Sequence, residues 1–228
     1  NYETTPGTKQ EVEIDQIFDQ LPNEKIAGEV PANRLLILGG AGVGKSTLMQ
    51  YIAYKWSKGE LWKDKFDFVY RVPLRILLDK DWYLDYKGKG NDDVLKCLAH
   101  YHFTTNLKQQ EIKLEDMVWQ EDRTLLLIDG YDEVAFGRKS LYKDVFEKIW
   151  EQENVIMTSK SNVVDKEMSE KFGRKIEHAG LDNDGIEKYL KKIFKRNEER
   201  ILETQEFLEE NPAIRDICNV PVNLTMFC

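Results

Sequence analysis

The stretch Leu35-Leu-Ile-Leu38 runs unbroken into Gly39-Gly-Ala-Gly-Val-Gly-Lys45-Ser46-Thr47, and this junction constrains the chain more than any other. A short, continuous apolar run suits a strand buried on both faces of a parallel sheet. The glycines permit positive φ and close approach of the backbone, so successive N–H groups can turn inward as a concave nest for an anion. The helical stretch from Lys45 to Trp56 starts at that nest and adds unpaired N–H groups and the positive end of its dipole. The segment fits Gly, four residues, then Gly-Lys-[Ser/Thr], in the strand-to-helix setting that the pattern needs. It predicts that Gly40, Ala41, Gly42, Val43 and Gly44 cradle a nucleoside triphosphate. Lys45 supplies a positive charge for the β- and γ-phosphates, the Ser46 hydroxyl is placed to ligate Mg²⁺, and Thr47 contacts the α-phosphate. The bland alternative is a glycine-rich turn with an incidental Lys-Ser, and the flanking strand and helix argue against it.

Composition sets the outer limits. With 228 residues, 41% hydrophobic and 32% charged, the chain reads as one sizeable globular α/β domain, or a domain with a small appendage. A net charge of −8 argues against a general nucleic-acid binder, which needs Lys and Arg to neutralise phosphates. Cys97, Cys218 and Cys228 are too few and too widely spaced for a disulfide framework, so a reducing compartment is the default. The first thirty residues have no apolar core of signal-peptide type. No apolar run approaches the roughly 18 residues that span a bilayer. A cytoplasmic protein without a membrane partner is expected; a secreted bacterial protein acting in a host cytosol would look the same. A start without Met and an apolar stretch at Val220–Cys228 predict a fragment of a longer protein.

Along the chain, residues 1–10 read as a polar arm, and 11–21 as a helix carrying Val12, Ile14, Ile17, Phe18 and Leu21. Further strand-like runs follow at Phe66–Pro73, Leu125–Asp129 and Val155–Ser159, with a weaker one at Lys175–His178. Helical patterns such as Leu141–Trp150 separate most of them, which indicates βαβ units and a parallel sheet. After Gly180 the pattern becomes helical, over Asn183–Phe194, Asn197–Glu210 and Ala213–Cys228. The expected organisation is an arm and helix over 1–33, a core over 34–180 and a helical subdomain over 181–228. Lys87–Asp92 reads as an exposed loop.

Leu125-Leu-Leu-Ile128 runs into Asp129-Gly-Tyr-Asp132-Glu133. Ligands of α/β sheets bind beyond the carboxyl ends of the strands, which places Asp129 beside the glycine-rich loop. One carboxylate there can support Mg²⁺, and a second, Asp132 or Glu133, can orient an attacking water. Asp129-Gly-Tyr-Asp-Glu133 resembles the second motif of the NACHT family, within the STAND group of P-loop ATPases. Val155-Ile-Met-Thr158-Ser159-Lys160 is similar to that family's strand ending in a sensor residue. His178-Ala-Gly-Leu181 through Phe194 resembles its junction into a helical subdomain, and Asn211-Pro212 through Cys228 resembles the stretch whose Pro abuts the adenine.

The resemblance implies a three-layer P-loop core with a five-stranded parallel sheet and a small helical subdomain. It implies ATP or ADP with Mg²⁺ as cofactors, held by Lys45, Ser46, Thr47 and Asp129, with Asp132 or Glu133 promoting hydrolysis. Pro221 would lie against the base or ribose, and Thr4–Gly7 would cover the adenine. Lys160 stands where the family usually has Arg, keeping the charge without the planar fork. The function implied is a slow ATPase acting as a conformational and oligomerisation switch, with sensor and effector domains elsewhere in a signalling or defence protein. The rivals are a P-loop kinase or motor and a non-catalytic, ADP-bound interaction module. A GTPase lacks support, since no Asn-Lys-x-Asp follows the acidic strand. Cys97, His100 and His102 share a short stretch, but an ordinary amphipathic helix explains them without zinc. Trp56, Trp62, Phe66, Phe68 and Tyr70 read as core packing.

Overall fold

The computed structural model describes residues 2–5, 8–19, 33–79, 82, 94–106, 112–135, 142–195 and 197–228. Among the described residues there are seven strands, β1 (Tyr2–Thr5), β2 (Thr8–Glu11), β3 (Arg34–Leu38), β4 (Phe68–Pro73), β5 (Thr124–Asp129), β6 (Val155–Ser159) and β7 (Arg174–Glu177). They form one sheet in the order β2-β1-β7-β3-β6-β5-β4. The five strands from β7 to β4 are all parallel. They form the five-stranded parallel core that the resemblance implies, and the weak fifth run, expected over Lys175–His178, is the strand Arg174–Glu177.

Alternation along each strand divides the core into two layers. Leu35, Ile37, Leu125, Leu127, Ile156 and Ile176 face Met49 and Ile52 of the helix Lys45–Ser57. On the other face, Leu36, Val72, Leu126, Ile128, Val155 and Met157 meet the helices Val94–Tyr101 and Lys143–Glu151. Burial on both faces explains why β3, β5 and β6 read as continuous apolar runs. Each such Leu or Ile contributes about 1.5–3 kcal/mol on leaving water. The rows are level, with Leu38 opposite Ser159 and Glu177, and Pro73 opposite Asp129. The five parallel strands therefore release their chains on one edge, where the glycine-rich loop lies.

Two expectations fail at the amino end. Tyr2–Thr5 and Thr8–Glu11, expected within a polar arm, are antiparallel strands, and the first also pairs with β7. Residues 11–19 hold the end of β2 and one short 3₁₀ turn, Ile14–Gln16, in place of a helix, while Leu21 lies outside the described residues. The apolar residues still reach the core: Val12 and Ile17 are buried, and Phe18 meets Trp62 and Phe66 edge-on at 4.8 and 5.3 Å. Arg174 replaces helical bonding by donating from Nη1 to the carbonyls of Ile17 and Asp19 at 2.7 and 3.0 Å. Trp56 and Phe66 also pack as expected, with Trp56 Nε1 donating to the Phe66 carbonyl at 2.9 Å.

The four helices Asn183–Ile193, Glu198–Glu210, Pro212–Cys218 and Pro221–Phe227 surround a separate small core of Ile186, Leu190, Ile201, Leu208, Cys218 and Leu224. The single helix expected over 213–228 is two, because Pro221 cannot donate to the preceding turn and instead starts a new helix. In the short stretch carrying Cys97, Cys97 is buried and His100 Nε2 meets the Ile112 carbonyl at 2.8 Å. The loop Lys87–Asp92 lies outside the described residues. Among the described residues no helix is long and apolar enough to cross a membrane.

Candidate functional site

Beyond Leu38 the chain turns through the loop into the helix Lys45–Ser57. The Gly39 N–H donates to the Ser159 carbonyl at 3.2 Å, which anchors the loop to the end of β6. Gly42 has φ +72°, and a Cβ there would lie 2.4 Å from Val222 Cγ1. The position therefore demands glycine twice, once for its backbone and once for the helix packed over it. Lys45 Nζ reaches back over the loop and donates to the carbonyls of Gly39 and Gly40 at 2.9 and 2.8 Å. Partial burial, helped by the Lys160 charge, lowers the Lys45 pKa, while Asp132, Asp129 and Glu133 oppose the shift.

Asp129 closes β5 and is only 5% exposed. Among the described residues, three side chains hold its carboxylate. Ser46 Oγ and Thr158 Oγ1 each donate to Oδ1 at 3.0 Å, and Arg71 Nη2 donates to Oδ2 at 2.6 Å. Thr158 Oγ1 also accepts the Gly130 N–H at 2.9 Å, so one fully buried hydroxyl fixes both the carboxylate and the turn that follows it. That turn needs Gly130, whose φ is +84° and where a Cβ would lie 3.0 Å from Glu133 Oε1.

The short helix Tyr131–Ala135 then presents two more acids. Asp132 accepts from the Lys160 backbone N–H at 3.2 Å through Oδ1, and from Lys160 Nζ at 3.0 Å through Oδ2. Glu133 is exposed towards the loop, and its pKa is raised by partial burial and by the neighbouring Asp129 and Asp132 charges. The two acids are thus unequal: one is engaged with Lys160, the other faces open space.

Ala41, Gly42, Gly44, Lys45, Ser46, Thr47, Asp129, Asp132, Glu133 and Lys160 line one cavity of about 390 Å³. Of the other residues expected at the site, Gly40 accepts from Lys45, and Val43 turns its side chain into the interior. Pro221 starts the last helix; its neighbours Val220 and Val222, not Pro221 itself, meet the space above Gly42. Thr4 and Thr5 lie on β1, which runs antiparallel to β7 from Tyr2 opposite Glu177 towards the edge of the sheet away from the loop. That course does not favour a cover over an adenine, and Pro6 and Gly7 lie outside the described residues.

Three residues near the site escape the sequence reading as participants. Arg71 is a lone charge inside the apolar strand Phe68–Pro73, a signal that is visible in hindsight. Thr158 is a fully buried polar residue at a strand end. His178 sits behind the loop, with Nε2 3.5 Å from where a Gly44 Cβ would be; burial, aided by the Lys45 charge, lowers its pKa to about 4.

An oxygen-only donor set, one hydroxyl and one carboxylate converging beside an open cavity, fits Mg²⁺, which commonly takes one or two protein oxygens together with phosphates and water. The NACHT domain family matches residues 33–197, well over half of the chain. The chain belongs to the NACHT family. This places it among P-loop NTPases of the kind found in NLR-like proteins. It is 24% identical over 195 residues to NACHT, LRR and PYD domains-containing protein 10 of Mus musculus, covering 82% of this chain and 26% of the relative. It is 20% identical over 240 residues to protein 12 of that series from Homo sapiens, covering 95% and 20%. It is 24% identical over 208 residues to human nucleotide-binding oligomerization domain-containing protein 2, covering 84% and 19%. The NACHT chain thus spans about a quarter or less of these curated relatives. Among solved structures, C. elegans PCH-2 is similar at a TM-score of 0.39 and 17% identity, covering 71% of this chain and 39% of that one. A Thermotoga maritima RuvB is similar at 0.36 and 13%, covering 70% and 42%. Likeness that loose carries no argument about ligand or activity.

Proposed function

We propose that this NACHT module binds ATP or ADP with Mg²⁺, hydrolyses ATP slowly, and serves as a conformational and oligomerisation switch in a larger signalling or defence protein. The observation that carries the reading is the convergence of Lys45, Ser46, Asp129, Glu133 and Lys160 on one cavity at the carboxyl ends of the strands. Loop N–H groups and Lys45 Nζ bind the β- and γ-phosphates, the ammonium leaving its loop carbonyls to do so. Ser46 and Asp129 hold Mg²⁺, which when bound neutralises charge on the phosphate oxygens. Glu133 accepts a proton from the attacking water, a task that its raised pKa favours. Asp132 holds Lys160 in place, so Lys160 can exchange that carboxylate for a γ-phosphate oxygen and report whether one is present.

The division at 180/181 gives the switch its moving part. The Leu181 N–H donates to the Asn219 carbonyl at 2.8 Å, and Val222 lies over Gly42. A nucleotide between the loop and the helical subdomain bears on both bodies, so exchange of ADP for ATP biases their relative position. Self-association, sensor and effector domains and a cytoplasmic setting belong to the same proposal. No observation favours a kinase acceptor site or a motor. The test is single-turnover hydrolysis of bound ATP. Glu133→Gln should slow it by on the order of 10²-fold while ATP still binds, and Asp132→Asn should slow it less. Equal rates in the parent and Glu133→Gln would remove Glu133 from the reaction.

A further inference from the structure

Arg71 lies on the wall of the Asp129 site opposite Ser46, and its placement is costly. β4 and β5 are parallel with Arg71 opposite Leu127 and Pro73 opposite Asp129. Arg71 therefore shares the sheet face of Leu125, Leu127 and Asp129, and its side chain rises one pleat to bring Nη2 to 2.6 Å from Oδ2. The pair is largely withdrawn from water, at 12% and 5% side-chain exposure. Arg71 Nε is buried with no hydrogen-bond partner among the described residues. Desolvating two charges commonly offsets their attraction, and apolar residues of similar volume do as well or better for stability. Packing alone gives no reason for an arginine at this position.

Charge supplies one. The cavity has three acids, with Lys45, Lys160, Arg71 and, beside Glu133, Arg75 as the nearby cations among the described residues. Asp132 is engaged by Lys160 and Asp129 by Arg71, while Glu133 and Lys45 make no ion pair among the described residues, Arg75 acting on Glu133 only from a distance. A carboxylate already neutralised by a guanidinium attracts a divalent ion weakly, because each added like charge within a few ångströms opposes it. We propose that Arg71 is an internal counter-cation of Asp129 that makes divalent-metal binding depend on the nucleotide's phosphates. The inference rests on the reading of this cavity as a nucleotide site. Arg71 is a positioning residue here: it orients Oδ2, leaves Oδ1 towards Ser46, and sets how much negative charge the protein itself offers the metal. Without phosphates the site is close to neutral and does not hold the ion. With them, the incoming negative charge is what recruits it. Nucleotide release and metal release are thereby tied together.

The test is Mn²⁺ binding followed by electron paramagnetic resonance, with and without ADP, in the parent, Arg71→Gln and Arg71→Lys. In the parent, saturable Mn²⁺ binding should require ADP. Arg71→Gln should lower the half-saturating Mn²⁺ concentration of the ADP complex on the order of tenfold, and should allow saturable binding without ADP. Arg71→Lys, which keeps the charge, should stay near the parent. Affinity for ADP without metal, measured alongside, shows that the variants fold; if Arg71→Gln does not, Arg71→Met takes its place. Unchanged half-saturation in Arg71→Gln, or saturable Mn²⁺ binding by the parent without ADP, would overturn the inference while leaving the nucleotide site standing. Failure of the parent to bind ADP at all would remove both.

Discussion

Replacing Thr158 by valine tests whether the site is built as described, because the two side chains have the same shape and differ in one hydroxyl. That hydroxyl is fully buried, donates to Asp129 Oδ1 and accepts the Gly130 N–H. Valine leaves the Gly130 N–H without its partner, which costs about 1–3 kcal/mol, and removes a hydrogen bond to a buried charge worth about 1.5–3 kcal/mol. Ser46 and Arg71 continue to hold the carboxylate, so the two losses are not fully additive, and ~2–5 kcal/mol is expected. Thr158→Ser keeps the hydroxyl and deletes a methyl group, for about 0.5–1.5 kcal/mol. Urea unfolding of each chain, followed by circular dichroism, measures the difference. Thr158→Val should be the less stable by a wide margin. A valine variant within about 0.5 kcal/mol of the parent, or a serine variant as unstable as the valine one, would refute the reasoning.

Other consequences are separable. Burial lowers both His102 and His178 to a pKa of about 4 from an ordinary 6.5. The unfolded chain therefore takes up protons below about pH 6.5 that the folded chain refuses until about pH 4, so stability falls as pH drops through that window. The loss at pH 5 is about 2 kcal/mol per histidine, and His178→Gln should flatten urea midpoints compared between pH 7.5 and 5; an equal slope in that variant would contradict it. Gly42→Ala forces a side chain into left-handed backbone and against Val222, for ~1–3 kcal/mol, and Val222→Ala in the same chain should recover the steric part. No recovery in the double variant would mean that the helical stretch does not rest on the loop as described.

Much of the site was legible because its chemistry is local. A nest of N–H groups needs contiguous glycines, and an acid at the end of a buried strand needs an apolar run before it; both leave unbroken marks between Leu35 and Thr47 and between Leu125 and Glu133. The parallel core was legible for the same reason, since β3, β5 and β6 are buried on both faces. What the chain conceals is assembled across strands. Arg71 and Thr158 reach Asp129 only because β4 and β6 flank β5, and no local pattern encodes that order. The stretch 11–19 carries apolar residues at near-helical spacing, yet tertiary contacts override the period: Arg174 takes up its carbonyls, and Phe18 fits between Trp62 and Phe66. The proposed preference for Glu133 over Asp132 also draws on the third dimension, because Asp132 pairs with Lys160 across the sheet.

The central claim is that this cavity holds an adenine nucleotide, and extraction of the purified chain tests it most directly. Denatured protein would be resolved by chromatography beside Lys45→Ala and Glu133→Gln variants. The account predicts ADP or ATP in the parent, little in Lys45→Ala, and a shift towards ATP in Glu133→Gln. A parent that carries no nucleotide and does not bind added ATP with Mg²⁺ would contradict it.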